Sequence, residues 1–587
     1  MTVDGQQPLR LDLVLVWHMH QPDYRGYADG EFRLPWVYLH AIKDYTDMAW
    51  HLEHHPGMRA VVNFTPVLLD QIEDYADQFA TGTIRDPLLR LLAQGEERPL
   101  NSDERMLILA SCFHANHERI IHPFPPYKAL HEILVRIEAQ GPEAAAYVSD
   151  QYLHDALTWY HLCWTGETVR RESELVTRLM AKGAQFVHAE RVALFELIGA
   201  LLRDLIPRWS RLALRGQVEL STTPEHHPLA PLLLRFASAR EATPAMKLPE
   251  APEYPGGGGR VAAQLETAMR EHARRFGTPA TGVWPAEGAV SSDLLALFAE
   301  HGIRWTASGG QVLRNSLLAA GVAADGAARW LYRPYRLQGP APEPVCFFRD
   351  DRLSDYIGFE YAKWNNDDAA ANLVAELVTI ARATPAGEVP VVSVILDGEN
   401  CWEYYPYNGY FFLSALYGAL ESHPVVRPTT CRDWLDGRVD PYPAGRIAAS
   451  IGALDRLTAG SWVGGNFTTW IGSPEKNHAW DLLCAAKQSF DLVAGSGRLS
   501  AERLRLATRQ LATCEASDWC WWFSDANPAV SVAAFDRLFR GNLAHLHVLL
   551  DLPVPAALSQ PICRGGELAE GSGAMRRASE GGEFDAR

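Results

Sequence analysis

Two acidic residues stand directly after short apolar stretches of the sequence. Glu287 lies in the segment GVWPAEG, and Asp397 ends a strongly apolar stretch, VVSVILDGE. If both stretches are strands of one parallel barrel, the two carboxyl groups reach the same rim, because strand C-termini converge there. Two carboxyl groups that face one cleft, one ionised and one protonated, are the minimum needed to cleave a glycosidic bond. The alternative is that each acid only stabilises the N-terminus of a following helix through the helix dipole.

Two histidines one residue apart, His18 and His20, end the apolar stretch LVLVWHMHQP. Side chains alternate along a strand, so both rings point the same way. One hypothesis makes them metal ligands, as in barrels of the amidohydrolase type, with His226, His227 and Asp397 as further ligands. The other makes them partners of sugar hydroxyls, because neutral imidazole both donates and accepts hydrogen bonds. The second is favoured, because adjacent histidines in an extended segment would diverge.

Seven short apolar stretches are predicted to be strands, and helical stretches separate them. They span residues 11–17, 60–64, 217–221, 281–284, 303–307, 345–348 and 390–396. Strands that alternate with helices imply crossover connections and a parallel sheet, here a closed or nearly closed α/β barrel. Polar and aromatic segments such as HMHQP, WPAEG and DGENCW follow these strands, and active sites of such barrels lie at that end.

The rest of the chain is predicted to be mainly helical. Residues 75–210 form a long helical insertion, so that residues 1–430 make up the barrel unit. After about residue 430 the strand signals fade, and residues 431–555 are predicted to form a C-terminal helical domain. Residues 556–587 are rich in Gly and charge with almost no apolar content, which predicts a disordered tail.

The composition argues against several classes of partner. The chain has 587 residues, 47% of them apolar, and a formal net charge of -17, which argues against nucleic-acid binding because phosphate contacts need a basic surface. No apolar stretch reaches the roughly 20 residues of a membrane span, and the N-terminus lacks the pattern of a secretory signal, so a cytoplasmic protein is expected. The nine cysteines include no C-x-x-C pair, which fits reduced thiols and argues against a zinc cluster.

Five segments occur in the order of the five characteristic sequence regions of glycoside hydrolase family 57. They are HMHQP, GQVELSTTPEHHPLAPLL, GVWPAEGAVS, VILDGENCWEYYPYNG and EASDWCWW. The chain resembles that family up to about residue 550, and the stretches WPAEG, SWVGGNFTTWIGSPEKNHAW and SDWCWW make it most similar to the α-amylase and amylopullulanase branch. The resemblance implies an incomplete (β/α)7 barrel, a C-terminal helical domain that completes the active site, α-glucan substrates and retention of anomeric configuration.

The resemblance also implies roles for individual residues. Glu287 matches the nucleophile and Asp397 the general acid/base. The positions that match substrate-binding residues, or that offer a flat ring for stacking on a sugar, are His18, His20, Gln21, Glu219, Trp284, Glu399, Trp462, Trp470, Asp518 and Trp519. The negative charge of Glu399 is expected to help raise the pKa of Asp397. No metal and no other cofactor is expected.

The two acids and the resemblance together predict a retaining glycoside hydrolase that acts on the α-1,4 linkages of α-glucans through a covalent glycosyl-enzyme, with activity on α-1,6 linkages left open. A 4-α-glucanotransferase or an α-glucan branching enzyme would use the same two acids and differ in whether water or a glucan hydroxyl resolves the intermediate. Two hypotheses from other classes stay open: a glucan-binding protein without catalysis, and a metal-dependent deacetylase or amidohydrolase. The expected partner is an α-glucan or maltooligosaccharide, with no nucleic acid and no membrane, and the oligomeric state stays open.

Overall fold

Ten strands are present in the computed structural model, which describes residues 9–26, 28–95, 98–141, 147–322, 330–338, 343–385, 387–438 and 450–567. They are β1 (Leu11–Met19), β2 (Ala60–Phe64), β3 (Val218–Thr222), β4 (Gly282–Val283), β5 (Trp305–Gly309), β6 (Tyr335–Leu337), β7 (Val345–Arg349), β8 (Val391–Asp397), β9 (Val426–Thr429) and β10 (Gly452–Leu454). Seven parallel strands form a barrel in the order β7, β5, β4, β3, β2, β1, β8. Pairing of Arg349 with Ser393 links β8 back to β7. The predicted barrel of seven strands is confirmed.

Both faces of the barrel strands are buried, which explains why their sequences are apolar almost without interruption. All nine residues of β1 are buried. Val14 and Val16 belong to a small cluster inside the barrel, whereas the alternate residues Leu13, Leu15 and Trp17 belong to the larger core outside it. The same alternation turns His18 inward at the end of β1. Ile395 is in the inner cluster, so Asp397, which pairs in register with His18, also faces inward.

Three strands lie outside the predicted set. β6 runs antiparallel to β7 and pairs with β10, and β9 lies beside the first half of β1. Each has only three or four residues, which is too short for an apolar pattern to be recognised. Because β10 comes after residue 430, the sheet extends past the predicted end of the barrel unit.

The chain between β2 and β3 is helical, as the sequence predicts. Proline occupies the first helical position of three of these helices, and Asn101 and Glu104 form a capping box at the start of another. A π-helical turn, His117–Ile121, interrupts the series. The helices are Pro66–Thr81, Pro87–Ala93, Ser102–Ser111, Pro125–Glu138, Asp150–Trp164, Glu167–Glu172, Glu174–Lys182 and His188–Leu214.

The remaining helices cover the barrel or follow it. Those that connect or flank the strands are Trp36–His40, Thr46–His54, Ala230–Leu234, Ala239–Ala242, Gly257–Phe276, Ser292–Glu300, Gly310–Ala319, Asp351–Asp355, Asn366–Ala383, Tyr410–Leu420 and Cys431–Leu435. Four helices form the C-terminal part: Pro474–Gly495, Ala501–Cys514, Asp518–Trp522 and Ala529–Leu549. Within the described ranges, no helix combines the length and apolar character needed to cross a bilayer.

The first residues of the predicted disordered tail are ordered. Ala556–Ser559 is a 3-10 helix, and Cys563 is buried. The backbone N–H of Gly566 donates to the carbonyl oxygen of Asn527 (2.9 Å). These contacts are mostly made by the backbone, so the composition of the segment does not indicate them. Residues 568–587 of the predicted tail lie outside the described residues.

Candidate active site

A cavity of about 940 Å³ lies at the C-terminal ends of the barrel strands. Eight of the predicted site residues line it: His18, His20, Gln21, Glu287, Asp397, Glu399, Trp462 and Asp518. Aromatic side chains from the helical insertion and from the C-terminal helices also line it, among them Phe113, Tyr160, Trp164, Trp521, Trp522 and Phe535. Three separate parts of the chain therefore enclose one space.

Glu287 lies in a 3-10 turn just after β4 and has a left-handed backbone conformation, with φ of 60° and ψ of 22°. Such a conformation is uncommon for a residue with a side chain and costs about 1–3 kcal/mol, so surrounding contacts must enforce it. The backbone N–H of Trp462 donates to the carbonyl oxygen of Glu287 (3.1 Å), and the Ser517 hydroxyl lies 2.8 Å from its Oε1. Burial, followed by the negative charge of Asp518, raises the pKa of Glu287 to about 8.

Asp397 ends β8, and its carboxyl group faces the same cavity. The Asn400 side-chain amide donates to its Oδ2 (2.8 Å). Burial raises the pKa of Asp397 to about 6, although the Asn400 hydrogen bond and the nearby His20 and Arg349 act in the opposite direction. Asp397 is also one of the charges that raise the pKa of Glu287. The negative charge of Asp397 therefore makes Glu287 harder to ionise.

Three imidazole rings stack beside these acids. The ring centroids of His20 and His227 are 3.7 Å apart, and those of His18 and His227 are 5.1 Å apart. His18 Nδ1 contacts Asn63 Oδ1 (2.7 Å), and its Nε2 contacts His227 Nε2 (3.1 Å). His227 Nδ1 contacts the Ser517 hydroxyl (2.9 Å). Burial lowers the pKa of His18 to about 3 and that of His227 well below its usual range, so both rings are neutral at physiological pH.

The third ring, His20, is also fully engaged. Its Nδ1 contacts the Thr65 hydroxyl (3.1 Å), and its Nε2 contacts Asp518 Oδ1 (2.9 Å). Both ring nitrogens of all three histidines thus have a protein partner. His226, the fourth histidine of the metal hypothesis, does not line the cavity. The ligand set proposed from the sequence is therefore not assembled, although ligand atoms of His20, His227 and Asp518 lie within 4.8 Å of one another, so a metal site of different composition stays open.

The model for glycosyl hydrolase family 57 matches residues 14–449. This chain belongs to glycosyl hydrolase family 57. Its structure is similar to a GH57-type branching enzyme from Pyrococcus horikoshii, with 15% identity, coverage of 95% of this chain and 99% of that chain, and a TM-score of 0.55. It is also similar to an α-amylase from Thermotoga maritima, with 13% identity, coverage of 92% and 93%, and a TM-score of 0.52. At these identities the structural likeness shows the shared fold.

Gln21 and Glu399 form a layer behind the acids of this family 57 site. Glu399 Oε1 accepts hydrogen bonds from the backbone N–H of His20 (3.1 Å) and from the side-chain amide of Gln21 (3.4 Å). Burial, followed by the charge of Asp397, raises the pKa of Glu399 well above its usual range. Burial is also the largest cause of the raised pKa of Asp397. Because Glu399 keeps its proton, it carries no negative charge when Asp397 ionises, so it does not raise the pKa of Asp397 in the way expected from the sequence.

Two predicted binding residues lie in the barrel interior instead of the cavity wall. Glu219 is buried, and its two oxygens accept hydrogen bonds from Trp305 Nε1 (2.8 Å) and from the backbone N–H of Arg432 (2.7 Å). Trp284 is fully buried and packs edge-on against Trp462, with ring centroids 5.1 Å apart. Neither residue lines the cavity, although Trp284 lies directly behind Trp462, which does.

Trp470 and Trp519 do not line the cavity either. Both are buried among the C-terminal segments, where Trp519 Nε1 donates to the carbonyl oxygen of Thr513 (3.1 Å). The carbonyl oxygen of Trp470 accepts from Trp480 Nε1 (3.0 Å). Rings enclosed in this way have no face for a sugar, so the expected stacking role does not fit their positions.

Several cavity residues were missed, and one signal in the sequence points to two of them. Asp518, Trp521 and Trp522 are spaced i, i+3 and i+4, which places them on one face of helix Asp518–Trp522. Trp519 falls on another face. Ser517 contacts both Glu287 and His227. No pattern in the sequence predicts these contacts, because they join segments far apart in the chain.

Proposed function

We propose that this protein cleaves α-glucans with retention of configuration, through a covalent glycosyl-enzyme on Glu287 and with Asp397 as general acid/base. The observation that carries the proposal is the pair of acids with raised pKa at the ends of two barrel strands, open to one cavity. Retaining glycosidases need one carboxylate that attacks and one carboxylic acid that protonates the leaving group. Burial keeps a proton on one of the two acids near neutral pH, so the pair carries the single proton that this mechanism needs.

The chemistry proceeds in two steps. The ionised carboxylate of Glu287 bonds to the anomeric carbon while the C–O bond to the leaving glucan breaks, and Asp397 gives its proton to the departing oxygen. In the second step Asp397 removes a proton from the incoming hydroxyl, which bonds to the anomeric carbon and releases Glu287. Neutral histidine rings beside the acids suit sugar hydroxyls, since each ring both donates and accepts.

The size and lining of the cavity support a glucan as the substrate. Its volume of about 940 Å³ is larger than a single sugar needs, and tryptophan and tyrosine rings form part of its wall. Flat aromatic rings stack on the apolar faces of sugars at low entropic cost. The two solved structures named above are a branching enzyme and an α-amylase, which is why we propose α-glucans.

Hydrolysis, with water as the acceptor, is the first candidate reaction. Transfer to a glucan hydroxyl, as in a 4-α-glucanotransferase or branching enzyme, is the second, and one observation favours it. Partly exposed aromatic rings come from two different parts of the chain, Trp36 from helix Trp36–His40 and Trp521 and Trp522 from the C-terminal helices. Two separate stacking surfaces offer places for both a donor and an acceptor glucan.

Product analysis distinguishes these reactions. We expect wild-type protein to convert amylose, maltoheptaose, pullulan or glycogen, with new reducing ends for hydrolysis, redistributed lengths for transfer, and α-1,6 branch points for branching. NMR of the first-formed hydrolysis product should show the α-anomer. Glu287→Gln and Asp397→Asn should each lower kcat on glucans by about 10³-fold or more, because each removes a group that acts in the transition state.

Azide assigns the two roles. With an activated α-glucosyl substrate and azide, Glu287→Ala should give the β-glucosyl azide, because azide takes the place of the nucleophile. Asp397→Ala should give the α-glucosyl azide, because azide attacks the glycosyl-enzyme. Glu118→Gln is the matched control, since the Glu118 side chain also lines the cavity but is 80% exposed. Folded wild-type protein that binds glucans but converts none of them indicates the non-catalytic alternative, and activity that follows zinc loading indicates the deacetylase alternative.

A further inference from the structure

Four contacts join the side chain of Glu287 to the interior of the barrel in an unbroken series. Glu287 Oε1 lies 2.8 Å from the Ser517 hydroxyl, which lies 2.9 Å from His227 Nδ1. His227 Nε2 lies 3.1 Å from His18 Nε2, and His18 Nδ1 lies 2.7 Å from Asn63 Oδ1. The four residues beyond Glu287 are buried. We call these five residues the Glu287 chain.

The number of hydrogens restricts how this series can be ordered. A hydroxyl group carries one hydrogen, and a neutral imidazole carries one N–H. When Glu287 is protonated, each link has one donor: Glu287 donates to Ser517, Ser517 to His227 Nδ1, His227 Nε2–H to His18 Nε2, and His18 Nδ1–H to Asn63 Oδ1. Every group is satisfied in this order.

Ionisation of Glu287 reverses the order. The Ser517 hydroxyl now donates to the carboxylate, so His227 must carry its hydrogen on Nδ1 and accept on Nε2. His18 then carries its hydrogen on Nε2, and its Nδ1 presents a lone pair to Asn63. One proton has left the series for solvent, and the three remaining hydrogens have each changed position.

Asn63 is able to satisfy this reversed order. Rotation of its amide by a half-turn presents the NH2 group to His18 Nδ1 and the carbonyl oxygen to the Ser221 hydroxyl, which lies 3.0 Å from Asn63 Nδ2 in the present orientation. The Thr223 hydroxyl lies 3.0 Å from Asn63 Oδ1 and 2.8 Å from the carbonyl oxygen of Trp284, so it accepts from Asn63 in one state and donates to it in the other. Hydroxyl and amide groups thus terminate the series in either direction.

A second route to the reversed order, with His18 doubly protonated, is disfavoured. It would place a positive charge on a ring whose pKa burial and the neighbouring His20 lower to about 3. Of the titratable groups that face the series from outside, Asp518 and Asp397 raise the pKa of Glu287, and His20 lowers that of His227. The two carboxylates beside Glu287 bring no positive charge that would replace the hydrogen bond from Ser517.

We propose that the Glu287 chain is a reversible hydrogen-bond relay that couples ionisation of the nucleophile to the tautomers of His227 and His18, with Asn63 as its rotating end. Ser517, His227 and Asn63 are positioning residues in this relay. The role assigned to Glu287 rests on the proposed function, but the relay itself is a property of the unliganded protein. The relay lets the Ser517 hydroxyl donate a hydrogen bond to Glu287 when the carboxylate is charged and accept one when the carboxyl group is protonated.

NMR of histidine ring nitrogens tests the relay directly. In protein labelled with ¹⁵N-histidine, with signals assigned from His227→Gln and His18→Gln, we expect His227 to change from Nε2–H at low pH to Nδ1–H at high pH, and His18 from Nδ1–H to Nε2–H. Both changes should share one midpoint with ionisation of Glu287. Tautomers that stay constant over this pH range overturn the proposal, and this readout does not depend on any activity towards glucans.

Variants of Ser517 test whether its hydroxyl couples the ionisation of Glu287 to the tautomer of His227 or only packs between them. Ser517→Ala should abolish the tautomer change of His227 and raise the upper pKa of the pH–kcat/KM profile by about one to two units, because a hydrogen bond to a charged group is lost. Ser517→Thr retains a hydroxyl and should restore both. The matched control is Thr65→Val, which removes a hydroxyl that contacts His20 but lies outside the relay. If Ser517→Ala leaves the His227 titration as in wild type, the proposed relay is excluded.

Discussion

The protonation of Glu287 and Asp397 is the central question at the scale of single residues. The proposed mechanism needs an ionised Glu287 and a protonated Asp397, yet the pKa of Glu287, about 8, lies above that of Asp397, about 6. In the unliganded site, one shared proton therefore resides mostly on Glu287. The productive arrangement, with the proton on Asp397, is therefore the minor form of the singly protonated protein. Substrate contacts that favour a charged Glu287 would increase the fraction of this form.

The pH dependence of kcat/KM follows from this pair. Activity requires one proton on the two acids together, so kcat/KM should rise as pH passes about 6 and fall as it passes about 8, whichever acid holds the proton. Asp397→Asn assayed with α-glucosyl fluoride, which needs no acid, should lose the falling limb and keep a single rise. The midpoint of that rise should lie below 8, because the negative charge of Asp397 no longer raises the pKa of Glu287. Retention of the falling limb in this variant would contradict the assignment.

The same burial predicts an effect on stability. Since the pKa of Glu287 is raised from 4.5 to about 8 in the folded protein, its contribution to the free energy of unfolding is full at low pH and is lost as pH rises through that window. Glu287→Gln stays neutral and should therefore be more stable than wild type at pH 7, by about 3 kcal/mol, with the difference vanishing near pH 4. Thermal unfolding at several pH values measures this. Glu118→Gln, a change at an exposed carboxylate, should show no such trend.

At the scale of elements, the sequence predicts the longer strands well. It predicts less well which of the residues near the strand ends line the cavity. Uninterrupted apolar runs predict β1 and β8, and alternation then turns His18 and Asp397 inward. Periodicity also separates Trp521 and Trp522 from Trp519 on their short helix. It does not reveal that Glu219 is enclosed by Trp305, nor that Ser517 reaches Glu287, since both depend on contacts between segments distant in the chain. Short strands such as β10 carry too few residues for any pattern.

The turn after β4 predicts a sharp response to substitution. Gly288 has φ of 55°, and an added Cβ would lie 2.8 Å from the Trp284 ring and 3.1 Å from Trp462 Cβ. Gly288→Ala should therefore displace the neighbouring Glu287 and lower kcat by about 10²-fold, the cost of a misplacement near 1 Å. Gly277→Ala is the control, because Gly277 has a similar φ of 78° but nothing within 4 Å of its added Cβ. It should lose about 1 kcal/mol of stability and retain kcat.

At the scale of the whole molecule, the C-terminal helices complete a site that the barrel alone leaves open. Asp518 contacts His20, and Ser517 contacts Glu287 and His227. The backbone N–H of Ser517 also donates to the carbonyl oxygen of His227 (2.9 Å). The position of the Ser517 hydroxyl, which donates to Glu287, therefore depends on the contacts that hold the C-terminal helices against the barrel.

Glu515 is the anchor for this contact. Its side chain is fully buried and accepts two hydrogen bonds from Arg260 (2.7 and 2.9 Å), one from Tyr254 (2.6 Å) and one from Gln264 (2.6 Å). All three partners lie in or just before helix Gly257–Phe276, which packs on the barrel. Removal of one partner of a buried ion pair leaves an uncompensated charge and costs about 3–5 kcal/mol.

Glu515→Gln should accordingly destabilise the protein by a few kcal/mol and also lower kcat, because Ser517 and Asp518 follow directly in the chain. Asp551→Asn is the matched control: it breaks the ion pair with Arg503 in the same helical region, where the two side chains are 67% and 38% exposed. Exposed pairs contribute at most about 1 kcal/mol, so this variant should keep both stability and kcat. Denaturant unfolding and kcat at a temperature where both variants are folded distinguish the outcomes. A Glu515→Gln protein with full kcat would mean that Ser517 and Asp518 are held in place without the anchor.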